Sequence, residues 1–251
     1  MASLTVAARG GLMVEDARTN GIAHLVSRML FKGTRTRTEG EILGTLEQRG
    51  AAIDPFSGTS SMGFSITFLA EDLDNVLAIT ADLLTEAAFP DDALTREKEL
   101  TLARIRKEDD DIFERGFTVL RGRVFEGSPQ GARHLGEPHT VRALTRKDLL
   151  DFYRAYYTAG NIVIAISGDI DAPALAPRLQ PLFAALRRSE GPAAGSAPAA
   201  APASATTTIT LPKDQALVLT GYRSVPLDDP DRYTLEVACS ILSGQSGRLF
   251  T

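Results

Sequence analysis

A chain of 251 residues, 43% hydrophobic and 24% charged, has an ordinary globular composition that excludes a fibrous or intrinsically disordered protein, and its length fits two domains about as well as one. Lys and Arg number 27 against 32 Asp and Glu, a net charge of −5, so no basic field exists to collect phosphates and nucleic acid is excluded as a partner. The single cysteine, Cys239, excludes internal disulfides and thiolate-rich zinc, and three histidines, His24, His134 and His139, leave any metal dependent on carboxylates.

The first element is a strand, with Leu4-Thr-Val-Ala-Ala alternating and Gly10-Gly11 as its turn. No basic segment precedes it, which argues against a signal peptide. Asn20-Gly21 then opens an apolar helix from about Ile22 to Phe31. Thr38 with Glu41 three residues later is a capping box, and Ile42, Leu43 and Leu46 form the buried stripe of a second helix that Gly50 ends. Strands over Ala51 to Phe56 and Met62 to Leu69, joined by Ser57-Gly-Thr-Ser-Ser, make a hairpin.

Leu73, Val76, Leu77, Thr80, Leu83 and Leu84 recur at helical spacing, and Pro90 ends that helix and opens another through Glu97 to about Lys107. The run Glu108-Asp-Asp-Asp reads as a solvated helix end, and His134 and His139 flank Gly136 and Pro138 in a loop without metal-ligand spacing. Thr145 with Asp148 caps a helix carrying Leu149, Leu150, Phe152 and Tyr153. Asn161 to Ser167 reads as a buried strand, and Pro173 to Leu186 as a helix. Apolar runs such as Ile162–Ile166 are far shorter than the roughly 20 residues that span a bilayer, so no membrane span is expected. The expected setting is soluble, in a bacterial periplasm or cytoplasm.

Strands followed by segregated helices predict an α+β fold with a mixed, largely antiparallel sheet and helices on one face. The predicted organisation is a domain over 1–188, a linker over 189–206 whose Gly191–Ala205 stretch holds only Ala, Pro, Ser and Gly, and the beginning of a second domain over 207–251. There Thr207–Leu211 and Ala216–Tyr222 are expected strands and Asp231–Leu242 an amphipathic helix. So short a segment cannot close its own core, so completion by another chain or truncation is expected.

Gly21-Ile-Ala-His-Leu-Val-Ser-Arg-Met-Leu-Phe-Lys-Gly-Thr resembles G-x-A-H-x-x-E-H-M-x-F-x-G-T of the pitrilysin, insulin-degrading enzyme and mitochondrial processing peptidase family. The resemblance continues through Gly50–Leu84, Arg96–Ile105, Leu144–Tyr157 and Gly168-Asp-Ile. Past the linker, Lys213-Asp-Gln-Ala and Ser246-Gly-Arg-Leu-Phe resemble the start of the family's second homologous domain. It implies a processing-peptidase-like N-terminal domain, its first strands missing, plus an incomplete second copy. In the family, two histidines at i and i+4 bind zinc and the glutamate between them is the general base.

Here His24 is the one retained ligand; Ser27 stands at the base and Arg28 at the second histidine. The family's third ligand is a glutamate seven residues beyond an outer glutamate. Glu97 matches the outer one, and Arg104 occupies the ligand position. A guanidinium stays protonated and offers no lone pair, so neither zinc nor another cofactor is expected, nor any catalytic residue. His24, Ser27, Arg28, Glu97 and Arg104 are then a vestigial pocket. Each also has a plainer reading, His24 as a buried helix residue bonded to a carbonyl and Arg28 and Arg104 as solvated charges, but the arginines' ligand positions favour pairing with Glu97, which shares a helix face with Arg104 because seven residues are almost two turns.

Family substrates add as a strand to an exposed sheet edge. At that edge this chain has Asp54, Pro55 and Phe56, and proline removes one backbone donor, which suits an edge and weakens strand addition. The resemblance implies a non-catalytic subunit or half that supports peptide binding and chamber closure beside a catalytic partner with an intact H-x-x-E-H motif, or self-association. Two alternatives stand beside it: a structural assembly protein, like the family's subunits in the respiratory cytochrome complex, and an active zinc peptidase with an unrecognised ligand set.

Overall fold

A computed structural model of the chain describes residues 1–189 and 204–243. The chain divides into two compact units, Met1–Leu217 and Val218–Thr251. The first unit holds strands β1 (Ala2–Arg9), β2 (Ala52–Ser57), β3 (Ser61–Phe68) and β4 (Ile162–Gly168). Its helices are α1 (Ile22–Met29), α2 (Glu39–Glu47), α3 (Leu73–Thr85), α4 (Asp91–Asp110), α5 (Ile112–Val124), α6 (Pro138–Ala143), α7 (Arg146–Tyr156) and α8 (Ala172–Ala185). The second unit contributes α9 (Arg232–Ser243). No helix among the described residues is long and apolar enough to cross a membrane.

The strands form one sheet in the order β2-β3-β1-β4. Each pairing is antiparallel, and the fold is α+β. Period-two alternation decides its faces. Leu4, Val6 and Ala8 stand opposite Ile66, Phe64 and Met62 on β3 and opposite Ile166, Ile164 and Ile162 on β4. That face is sealed by the helices, whereas the other carries Ser and Thr, with Thr5 and Ser65 hydrogen-bonded across it at 2.9 Å. Helix α1 packs against β2, β3, α4 and α7, and buries Ile22, Ala23, Leu25, Val26 and Met29.

Local signals place several helices. Thr38 with Glu41, and Thr145 with Asp148, form complete capping boxes at the starts of α2 and α7. The reading of β4 as a buried strand needs correction: it is a sheet edge, with Val163 66% exposed, because only β1 flanks it. Helices α5 and α6 were not foreseen. Asp111 starts α5 by accepting from the amides of Phe113 and Glu114, and Pro138 occupies the first turn of α6.

No strand forms over Thr207–Leu211 or Ala216–Tyr222, since an extended segment becomes a strand only beside a ladder partner and none of the described residues supplies one. The Ala/Pro-rich run falls, but for its last two residues, outside the described residues, as do Ser246 to Phe250. In α9, Val237 and Ile241 are exposed.

Candidate functional site

Helix α1 is anchored at its start by groups distant in sequence. Gly21, with φ 96°, enters the helix from the left-handed region, and a Cβ there would lie 2.8 Å from the Leu135 carbonyl oxygen. Asn20 donates to the Arg133 carbonyl at 3.0 Å, and the Thr140 hydroxyl donates to the Asn20 carbonyl at 2.8 Å. The loop containing His134 is thereby fastened to the helix start.

Beneath the same turn, Glu15 accepts from the amides of Gly21 and Ala23 at 2.8 and 3.0 Å and from Asn20 Nδ2 at 2.9 Å. The first-turn amides of a helix favour a carboxylate. Burial outweighs them and pushes the Glu15 carboxyl up to about 7. Sequence patterning missed this residue because its place is outside the S/T-x-x-E register of a local cap.

Three residues along α1 turn toward α4. His24 Nε2 is buried with no hydrogen-bond partner, and the imidazole is held down to about 4 by burial, with Arg104, Arg28 and His134 adding like-charge repulsion. It is neutral at pH 7. The Ser27 hydroxyl is taken by the His24 carbonyl at 2.9 Å. Arg28 Nε donates to Glu97 Oε1 at 3.3 Å, and Arg104 Nη1 lies 4.0 Å from that same oxygen. The Glu97 side chain is 1% exposed, whereas those of Arg28 and Arg104 are 33% and 41% exposed, so an acidic floor carries a cationic rim. Thr101, between Glu97 and Arg104 on α4, is buried with its hydroxyl unpartnered.

Among the described residues, no group of three or more His, Cys, Asp or Glu side chains is placed to hold a metal ion. His139 lies in α6, and His134 is half-buried, its imidazole lowered by burial and then by Arg121. The run Glu108–Asp111 is not simply solvated: Asp109 pairs with Arg133 at 2.6 Å and Arg115 at 2.8 Å, and Asp111 caps α5. Asp54, Pro55 and Phe56 lie on the outer strand β2, with Pro55 opposite Phe64 on the helix-covered face and Asp54 opposite Ser65 on the other.

Residues 1–131 match the family model described as Insulinase (Peptidase family M16), and residues 143–251 match the one described as Peptidase M16 inactive domain. An uncharacterized zinc protease of Rickettsia felis is 24% identical over 242 residues, covering 96% of this chain and 58% of the relative. The mitochondrial-processing peptidase subunit beta of Dictyostelium discoideum is 24% identical, covering 94% of this chain and 51% of the relative. A crystal structure of a peptidase M16 inactive domain from Pseudomonas fluorescens shares the fold at a TM-score of 0.84 and 23% identity, covering 99% of this chain and 61% of that one. The chain spans about half the length of the curated relatives it matches.

Proposed function

Since the chain belongs to the insulinase family, peptidase family M16, we propose that it is a non-catalytic member that pairs with a catalytic, zinc-bearing partner, supports peptide binding and helps close the peptide chamber. The observation that carries this reading is the sharing of one buried Glu97 oxygen by Arg28 and Arg104 beside a neutral His24. That donor set does not fit zinc: it offers one imidazole, and two cations oppose a third at short range. Glu97, the remaining carboxylate, is engaged by both guanidiniums, and Ser27 has no carboxylate with which to take a proton from water.

On this reading residues 1–188 are a processing-peptidase-like domain, 189–206 a spacer and 207–251 part of a second homologous domain. The edge strand β2 is the peptide-holding edge, where the backbone of Asp54, Pro55 and Phe56 pairs with incoming chain, and Pro55 lowers the number of backbone bonds a peptide can gain there.

The test is co-purification from the native source, then assay of the associated catalytic chain on peptides with and without this one. Faster turnover in the pair is expected. Equal rates with no complex by gel filtration at micromolar concentration would remove the subunit reading. Purified chain is expected to carry no stoichiometric zinc and to hydrolyse no peptide; one tightly held zinc per chain would overturn this. The triple replacement Ser27→Glu, Arg28→His and Arg104→Glu should recover zinc affinity before any activity, since binding needs ligands while turnover needs their supporting shell as well. Elemental analysis showing no gain in bound zinc would mean that the backbone around α1 and α4 cannot seat the ligands.

A further inference from the structure

The pocket between α1 and α4 carries an unbalanced positive charge. Two guanidiniums face one carboxylate, and that carboxylate lies beneath them, closed to solvent, while both guanidiniums reach the surface. Their remaining donors have no protein partner among the described residues: Arg28 makes one hydrogen bond, through Nε, and Arg104 approaches Glu97 only at 4.0 Å. A planar guanidinium carries five N–H donors arranged to grip an oxyanion in pairs. Glu97 bonds Arg28 through Nε, which leaves both Nη groups of that fork without a bond among the described residues, and it lies 4.0 Å from Arg104 Nη1. The nearest carboxylate further along α4, Glu108, interacts electrostatically with Arg133 and Arg121 instead. The spare charge is one, which matches a carboxylate and falls short of a phosphate dianion.

We propose that Arg28 and Arg104 form a binding site for a carboxylate of a bound peptide, with Glu97 as the buried group that orients both guanidiniums. The helix carrying Arg28 packs on the outer strand β2, the edge assigned to peptide. The assignment deepens the peptide-supporting reading and rests on it for the source of the carboxylate, which is either a chain terminus or an acidic side chain. The replacement of two metal-ligand positions by arginine then has a chemical outcome: a site for a cation becomes a site for an anion.

Titration calorimetry of the full chain with three peptides of one neutral sequence tests it. One peptide is capped at both ends, one has a free C-terminus, and one is capped with a central glutamate. The expected result is that a carboxylate-bearing peptide binds about tenfold or more tightly than the capped one, as charge-assisted hydrogen bonds imply. Which of the two gains identifies the source. The advantage should vanish in Arg28→Gln/Arg104→Gln, with the capped peptide unchanged. Should that variant fail to fold because Glu97 is left unpaired, Glu97→Gln added to it removes the stranded charge and serves as the same test.

Equal affinity for all three peptides, or an advantage that survives the arginine replacements, would overturn the site while leaving peptide support intact. If no peptide binds, the peptide-supporting reading fails, and acetate alone decides the site. Acetate-induced shifts of the Arg28 and Arg104 side-chain NMR signals, absent in the variants, uphold an anion site; no shift overturns it.

Discussion

Replacing both Arg28 and Arg104 by methionine is expected to destabilise the chain by about 4 kcal/mol, more than removing Glu97 itself. The difference follows from exposure. Glu97 is 1% exposed, so without the arginines its charge has neither water nor counter-ion, and it must take up a proton or pull the helices apart to reach solvent. In Glu97→Ala the stranded groups are guanidiniums already at the surface, which turn outward and solvate, so the cost is only about 2 kcal/mol.

Either single arginine replacement should cost less than the pair, because the other guanidinium still faces the same oxygen. Adding Glu97→Leu to the double methionine variant should recover most of the loss, since an apolar trio removes the buried charge altogether. Thermal unfolding at pH 7 checks the series, at roughly 3 °C of midpoint per kcal/mol for a chain of this size. A double variant that melts with the wild type would show that Glu97 is not desolvated.

The second large effect is a pair of opposed pH dependences at the two ends of the α1 site. The Glu15 carboxyl, ordinarily near 4.5, is up at about 7 in the folded chain. Between those values the unfolded chain releases this proton and the folded chain keeps it, so stability falls as pH rises through the window. His24, ordinarily near 6.5, is down at about 4. Between those values the unfolded chain takes a proton that the folded chain refuses, so stability is lost as pH falls. Each contribution is on the order of 3 kcal/mol.

Where the windows overlap, roughly pH 4.5 to 6.5, the two slopes cancel, and neither is visible in the wild-type chain. Single replacements separate them. Glu15→Gln should leave stability rising with pH across the window, and His24→Asn should leave it falling. Urea unfolding at stepped pH, taken as variant minus wild type so that other groups subtract out, gives both slopes. Parallel profiles for variant and wild type would show that the replaced group titrates alike in the folded and unfolded chains.

The parts of this molecule that sequence determines by itself are those decided within a few residues. The caps Thr38/Glu41 and Thr145/Asp148 span three residues each, and Ser57–Ser61 joins adjacent strands, so helix starts and the hairpin were legible directly. The family's motif also names positions 24, 27, 28, 97 and 104, of which Arg28, Glu97 and Arg104 meet in the fold. What escaped lay outside those short patterns. Glu15 holds the start of α1 across a turn from outside any local capping pattern. Helix α5 buries none of its residues and carries two glycines, so its pattern is weak, and it is held by the Asp111 cap and by packing against α4.

Tertiary structure alone decided the sheet order, which makes β2 and β4 the edges and leaves Val163 of the Ile/Val-rich strand β4 exposed. It also decided that the pairing expected of Glu97 with Arg28 or Arg104 takes in both arginines at once, on one oxygen of a carboxylate closed to water. Charge, pKa and pairing depend on the distance between groups and on the water excluded around them, and those are properties of packed helices, which no order of residues states.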